Sequence, residues 1–256
     1  MKRRTLMAVL GTATLTWANA AQAQVAMGAV GVFSLLGDSV QASWAENRPT
    51  DTRLERSGRE TLEFKGIGFG QIALRVARQR LASALPSTRV ALFQSPTAMT
   101  PAEQRSLADG AERAELPGWM VKTLEENKLT HLLIVTRHRG TIDARTGDGN
   151  AIGRGTVEGI GFFIDTLYIM RNGQTGAIST GLLAPYTQIR LTLMDAVSGE
   201  IVSTYNVRDG FAYAPLDSTG AADPWNQMPA EEKVRTLRRL VESGMNRGMV
   251  EVLKKR

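Results

Sequence analysis

The sequence predicts an α/β fold: a mixed sheet in two or three layers, entered through βαβ units, continued by antiparallel hairpins and closed by a long carboxyl-terminal helix. Three observations predict it. Strand and helix periods alternate between residues 61 and 136, the pattern of parallel strands joined by crossover helices. Two hairpin signals follow, at Arg171-Asn172-Gly173 and Val197-Ser198-Gly199. The chain then ends in a run from Pro229 to Lys255 that places Val234, Leu237, Val241, Met245, Met249 and Val252 along one helical side.

Residues 1–23 read as a signal peptide and 24–256 as one exported domain. Lys2, Arg3 and Arg4 supply a positive start, Leu6 to Trp17 an apolar run, and Ala21-Gln22-Ala23 the small-x-small pattern before a new amino terminus at Gln24. That run is shorter than the roughly 20 apolar residues a membrane-spanning helix needs. A first strand is expected near Val30 to Leu36, then a turn-rich loop over 43–60 and a short strand over Thr61 to Ile67. Gly70 to Leu85 carries Ile72, Val76, Leu81 and Leu85 at helical spacing, and Pro86 stops it. Arg89 to Phe93 is a compact strand. Thr100, Pro101 and Glu103 form a capping-box pattern at the start of the next helix. Trp119 to Asn127 is a second short helix, and His131 to Thr136 is apolar enough for a strand covered on both faces. Gly140 to Gly161, with seven glycines in the range, reads as a wide loop. Phe162 to Met170 is a strand. The strongest hairpin joins Ile189–Met194 to Ile201–Val207, and 209–228 is read as loop.

Composition narrows the class. The formal charge is +6, of which the three leader cations account for half, so the mature chain carries +3. Arg and Lys alternate with Glu and Asp, whereas a nucleic-acid binder gathers its cations on one face; no nucleic-acid partner is expected. The chain has no cysteine, which removes disulfides, thiolate catalysis, cysteine-ligated metals and a lipidated amino-terminal cysteine. The cations of the last helix, from Lys233 to Arg256, are interrupted by Glu231, Glu232, Glu242 and Glu251 and read as a solvated face.

Candidate chemistry is sparse. Gly37-Asp38-Ser39 after an apolar strand resembles the first block of the GDSL hydrolases, in which the serine is the nucleophile. Such a serine needs a base, and those enzymes use a late histidine preceded by an aspartate three residues earlier. Lys128 and Val135 stand three before His131 and His138, so a turn at Gly37 and Asp38 is preferred to a Ser39 hydrolase. Gly66, Gly68 and Gly70 entering a helix offer backbone N–H groups to a small anion. The dinucleotide fingerprint is not met, and close strand–helix packing is the preferred reading. His131 and His138 are an odd number of residues apart on one predicted strand and cannot share a metal. Asp143, Asp148 and Asn150 do not follow the EF-hand order. No catalytic, cofactor-binding or metal-ligating residue is therefore assigned, and no cofactor is expected.

Gln188-Ile-Arg-Leu-Thr-Leu-Met-Asp195 followed by Ser198-Gly-Glu-Ile-Val-Ser203 resembles a strand–turn–strand hairpin of bacterial envelope domains. These are the periplasmic part of the curli-secretion lipoprotein, the outer-membrane activators of penicillin-binding proteins and the amino-terminal domain of the Tol translocation protein. The resemblance covers about twenty residues closely and the order of elements over 61–256 loosely. It implies a non-enzymatic α/β scaffold that docks onto other envelope proteins, and no individual functional residues; the leader gives the expected location, periplasmic or secreted. A Ser39 hydrolase, an anion-binding protein and a subunit of an extracellular assembly remain the alternatives.

Overall fold

The computed structural model describes residues 27–44, 58–63, 66–95, 99–107, 116–145, 151–171, 178–213 and 223–254. The expected leader, the Asn172-Gly173 turn, Asp148 and Asn150 lie outside the described residues. Among the described residues nine strands form one mixed sheet: β1 (Ala29–Ser34), β2 (Ser39–Trp44), β3 (Gly58–Glu63), β4 (Arg89–Gln94), β5 (His131–Arg137), β6 (Arg139–Arg145), β7 (Ala151–Arg171), β8 (Ile178–Asp195) and β9 (Ile201–Gly210). Among the described residues four α-helices accompany it: α1 (Phe69–Ala84), α2 (Pro101–Ser106), α3 (Gly118–Glu126) and α4 (Ala230–Lys254).

The sheet is a spliced one. Tyr186 to Gln188 of β8 pair with β7 on one side and β9 on the other, whereas Ile189 to Met194 pair with β5 and β9. β5 and β7 therefore lie end to end along the same flank of β8. The next column repeats the arrangement, since β1 runs parallel to β5 and β2 runs parallel to β7. His138 sits at the splice. Its N–H donates to the Gln188 carbonyl at 2.9 Å, and its own carbonyl accepts from Gly159 N–H at 3.0 Å.

Side chains of the buried strands alternate between two cores, as the strand period requires. Val30, Val32, Leu133 and Val135 face α1 and α4, while Ala29, Phe33, Leu132 and Ile134 join the apolar residues of α3. Phe33 stacks on Phe93 at 4.7 Å and meets Trp119 at 5.7 Å, which fastens the second layer. The long helix comes close to the sheet because Gly244 and Gly248 face it. A Cβ at Gly244 would stand 2.6 Å from the Val207 side chain.

Four expectations change. The loop read over 43–60 gives up its ends to strands, because β2 runs to Trp44 and β3 starts at Gly58. The loop read over Gly140 to Gly161 is β6 and the first half of β7, paired antiparallel from Arg139↔Glu158 to Arg145↔Ala151. Glycine there permits close approach and not merely turning: a Cβ on Gly161 would lie 2.0 Å from the Gln41 carbonyl oxygen, so the parallel β2–β7 contact requires its absence. The loop read over 209–228 keeps β9 to Gly210, a bridge of Tyr213 with Leu183, and a 3-10 turn at Pro224–Gln227. Finally, the crossover helices do not join neighbouring strands. α1 links β3 to β4 at opposite ends of the sheet, and α2 and α3 link β4 to β5, between which β1 is inserted. The parallel strands are present, but not as consecutive βαβ neighbours. No helix among the described residues is long and apolar enough to cross a membrane.

Candidate functional site

The carboxyl ends of the parallel strands β1, β4 and β5 open onto a cavity of about 400 Å³. In open sheets this is where ligands usually sit. Ser34 to Ser39 leave β1 along its floor, Gly68 and Gly70 begin α1 beside it, Gln94 and Ser95 end β4, and Arg137 closes β5. The two motifs singled out in the sequence thus meet in one place.

Their meeting answers the anion question. One carboxylate oxygen of Asp38 accepts from Gly68 N–H at 3.0 Å and from Phe69 N–H at 3.3 Å. The first turn of α1 has no acidic residue of its own. Asp38 therefore serves as a distant cap, matching a negative charge to the positive end of the helix. The backbone donors expected to receive an anion at Gly66 to Gly70 are taken at Gly68 and Phe69 by the chain itself. Gly68, at φ 73°, supplies the left-handed turn that aims them.

Arg137 is the second organiser and had no place in the sequence reading. It is only 4% exposed, and its guanidinium donates to the Leu36 carbonyl at 2.8 Å and the Ser39 carbonyl at 2.6 Å. Leu36 lies between β1 and β2 and Ser39 begins β2, so the fork of the guanidinium bridges the gap where one strand of the column stops and the next starts. Its backbone N–H donates to Gln104 of α2 at 2.9 Å, and Gln104 in turn donates to the Met99 carbonyl at 3.0 Å. A Cβ on Gly159 would stand 3.1 Å from the Arg137 side chain, so the glycine makes room for it.

Ser39 lines this cavity, with Asp38 and Arg137 as its titratable neighbours among the described lining residues. Asp38 already accepts two N–H groups, and a guanidinium cannot take a proton near neutral pH. The pair that activates a serine is not assembled there from these groups. His138 lies one residue past Arg137, buried at the splice, and is not among the cavity's lining residues. His131 is buried at the other end of β5, beside Thr130, whose hydroxyl oxygen is 3.0 Å from Nδ1. Burial lowers the His131 pKa below its ordinary 6.5, opposed by the Asp195 charge. Asp195 is itself held low, first by the N–H of Ser198 and also by that of Val197 in the hairpin turn. The two histidines do not converge, and Asp143 lies in β6. Among the described residues no group of three or more acidic or histidine side chains is placed to hold a metal.

A second surface lies on the rim of the sheet. β4 is a terminal strand, paired with β1 and with no other strand among the described residues. Val90 to Phe93 are only partly buried. Beside Leu92 lies an apolar groove of about 550 Å³, lined by Leu74 and Ala82 together with Arg75 and Arg78 of α1. On α4, by contrast, three of the cations have partners. Arg247 pairs with Asp209 at 3.1 Å and Lys254 with Glu251 at 2.7 Å. Lys233, 5% exposed, lies 4.0 Å over the Trp225 ring, and burial lowers its pKa against the opposing charge of Asp223.

No family model matches the chain, and no curated protein matches it. Membership in the curli-secretion, penicillin-binding-protein-activator or Tol families is therefore not established by sequence. Fifteen chains of solved structures match. A neuraminyllactose-binding hemagglutinin homologue from Helicobacter pylori is 8% identical, covering 89% of this chain and 84% of its own, with a TM-score of 0.35. Protein XCC0632 of family DUF330 from Xanthomonas campestris is 9% identical, covering 92% and 90%, with a TM-score of 0.35. PelC from Paraburkholderia phytofirmans, described as a dodecamer, is 9% identical, covering 89% and 91%, with a TM-score of 0.29. At these scores the likenesses assign this chain neither a fold nor a function.

Proposed function

We propose that this chain is an exported, non-enzymatic accessory module of the bacterial cell envelope that works by docking onto other envelope proteins. One observation supports it above the others. The side chains most suited to chemistry are engaged in holding the fold, Asp38 on the α1 terminus and Arg137 across the β1–β2 gap, while among the described residues the β4 edge has no second strand and its groove is left for contact. An edge strand with apolar residues and no protecting proline or lysine accepts a further strand unless something covers it.

Export and docking are tested together. Intact mass of the chain recovered from the periplasm is expected to begin at Gln24. Cross-linking in the periplasm is expected to give discrete products that Leu92→Asp removes while circular dichroism stays unchanged. Cross-links indifferent to Leu92→Asp would overturn the docking surface. Hydrolysis of a generic ester that disappears in Ser39→Ala would overturn the non-enzymatic reading.

A further inference from the structure

We infer that the β4 edge receives the β3 edge of a second copy of this chain, so that sheets join head to tail. This rests on the docking surface proposed above and names its occupant. β3 and β4 are the two ends of the main strand order, each with one pairing partner among the described residues. Their chemistry is complementary. The β4 side offers Leu92 and Leu74 together with Arg75 and Arg78. The β3 side offers Leu62, half-buried, and Glu60, exposed.

The faces also agree. Leu62 pairs with Val40 and Glu60 with Ala42, and both partners belong to the core that contains α1. Val90 and Leu92 of β4 pack toward that same core. If one sheet continues into the next, β3 thus brings Leu62 and Glu60 to the face that carries the groove. With Leu62 beside Leu92, Glu60 falls two positions along the strand, about 7 Å away, within the span of an arginine side chain. Arg78 is the natural receiver, because Arg75 is already bonded to Glu242 at 3.0 Å. The two joining surfaces are different patches, so the contact is heterologous and extends beyond a dimer, into a ring or a filament.

Sedimentation of the purified chain over a concentration series tests this. The wild type is expected to self-associate, and Glu60→Arg or Arg78→Glu to weaken association by about tenfold or more through like charges. The double variant Glu60→Arg/Arg78→Glu is expected to recover it. A wild type that stays a single chain at every concentration overturns the inference, as does a double variant no better than the singles. The chain lacks cysteine, so a mixture of Leu62→Cys and Leu92→Cys chains gives a clean second readout. A disulfide formed in the mixture, and in neither chain alone, is expected, and its absence in folded variants overturns the pairing. A solitary wild type whose periplasmic cross-links to other proteins still vanish in Leu92→Asp would sink the second copy and leave the docking surface standing.

Discussion

Replacing Arg137 by alanine is the most informative single perturbation of this fold. The side chain is 4% exposed and donates to two carbonyls that lie on either side of a break between strands. Each hydrogen bond from a charged donor contributes about 1.5–3 kcal/mol, and its loss leaves a carbonyl with poor access to water. Removing both gives roughly 3–5 kcal/mol, the range seen when one partner of a buried charged arrangement is deleted. For a domain of this size that is roughly 6–20 °C in melting temperature. The backbone N–H to Gln104 survives the substitution, so α2 stays attached and the loss reports on the β1–β2 gap. Urea unfolding followed by tryptophan fluorescence measures it, with an unchanged m-value expected. Arg137→Lys separates geometry from charge, because one ammonium does not reproduce the planar fork and is expected to recover about half of the stability. A loss below about 1 kcal/mol in Arg137→Ala, or a lysine variant equal to wild type, would refute the bridging role.

Asp38→Ala is expected to cost about 1–2 kcal/mol and Asp38→Asn distinctly less, since an amide oxygen still caps the helix; equal losses in thermal melts would mean the cap is not the source. Gly161→Ala is expected to cost at least about 3 kcal/mol, because its Cβ would meet the Gln41 carbonyl, a backbone atom no rotamer change can move aside; a near-neutral melt would contradict the β2–β7 register. For His131 the folded-state pKa lies below 6.5, so the unfolded chain binds the proton more readily. Stability is complete above that pH and falls as pH drops through 6.5 toward the folded value, and His131→Asn is expected to flatten this slope in urea titrations between about pH 7 and pH 5.

Local signals were legible and long-range pairing was not. The Thr100 capping box is present with both reciprocal bonds, and the Val197-Ser198-Gly199 turn closes as read, with Asp195 accepting from Val197 and Ser198. These depend on neighbours within a few residues. β5 was legible because burial on both faces leaves a nearly unbroken apolar run. β2 was missed, since Ser39, Gln41 and Ser43 dilute its pattern and its strand character comes from pairing with β3 on one side and, more than a hundred residues away, with β7 on the other. β6 and the start of β7 were hidden by glycines that turn chemistry claims but tight sheet packing also needs. At the site, Gly37-Asp38-Ser39 and Gly66 to Gly70 drew attention for chemistry; that they bind each other is a contact thirty residues apart which no spacing rule encodes. Arg137 carried one available signal, an arginine ending a nearly unbroken apolar run.

The splice in the sheet ties these features to one cause. Because β8 is long enough to pair with β5 and β7 in series, the column beside it must also be made of two strands, and the chain between β1 and β2 crosses a place where ladder hydrogen bonds are interrupted. Backbone carbonyls stranded at such a break need donors from elsewhere, which is the task the Arg137 fork performs for Leu36 and Ser39. The same segment, once held, sets Asp38 against the start of α1 and so orients the helix whose outer side bears Arg75 and Arg78. The docking groove is thus downstream of the splice. Arg137→Ala is therefore expected to weaken self-association, although it lies on neither edge. Sedimentation of that variant, at a temperature well below its melting point, distinguishes coupling from simple unfolding: wild-type association in a destabilised but folded Arg137→Ala chain would show that the Arg137 bridge and the groove are independent.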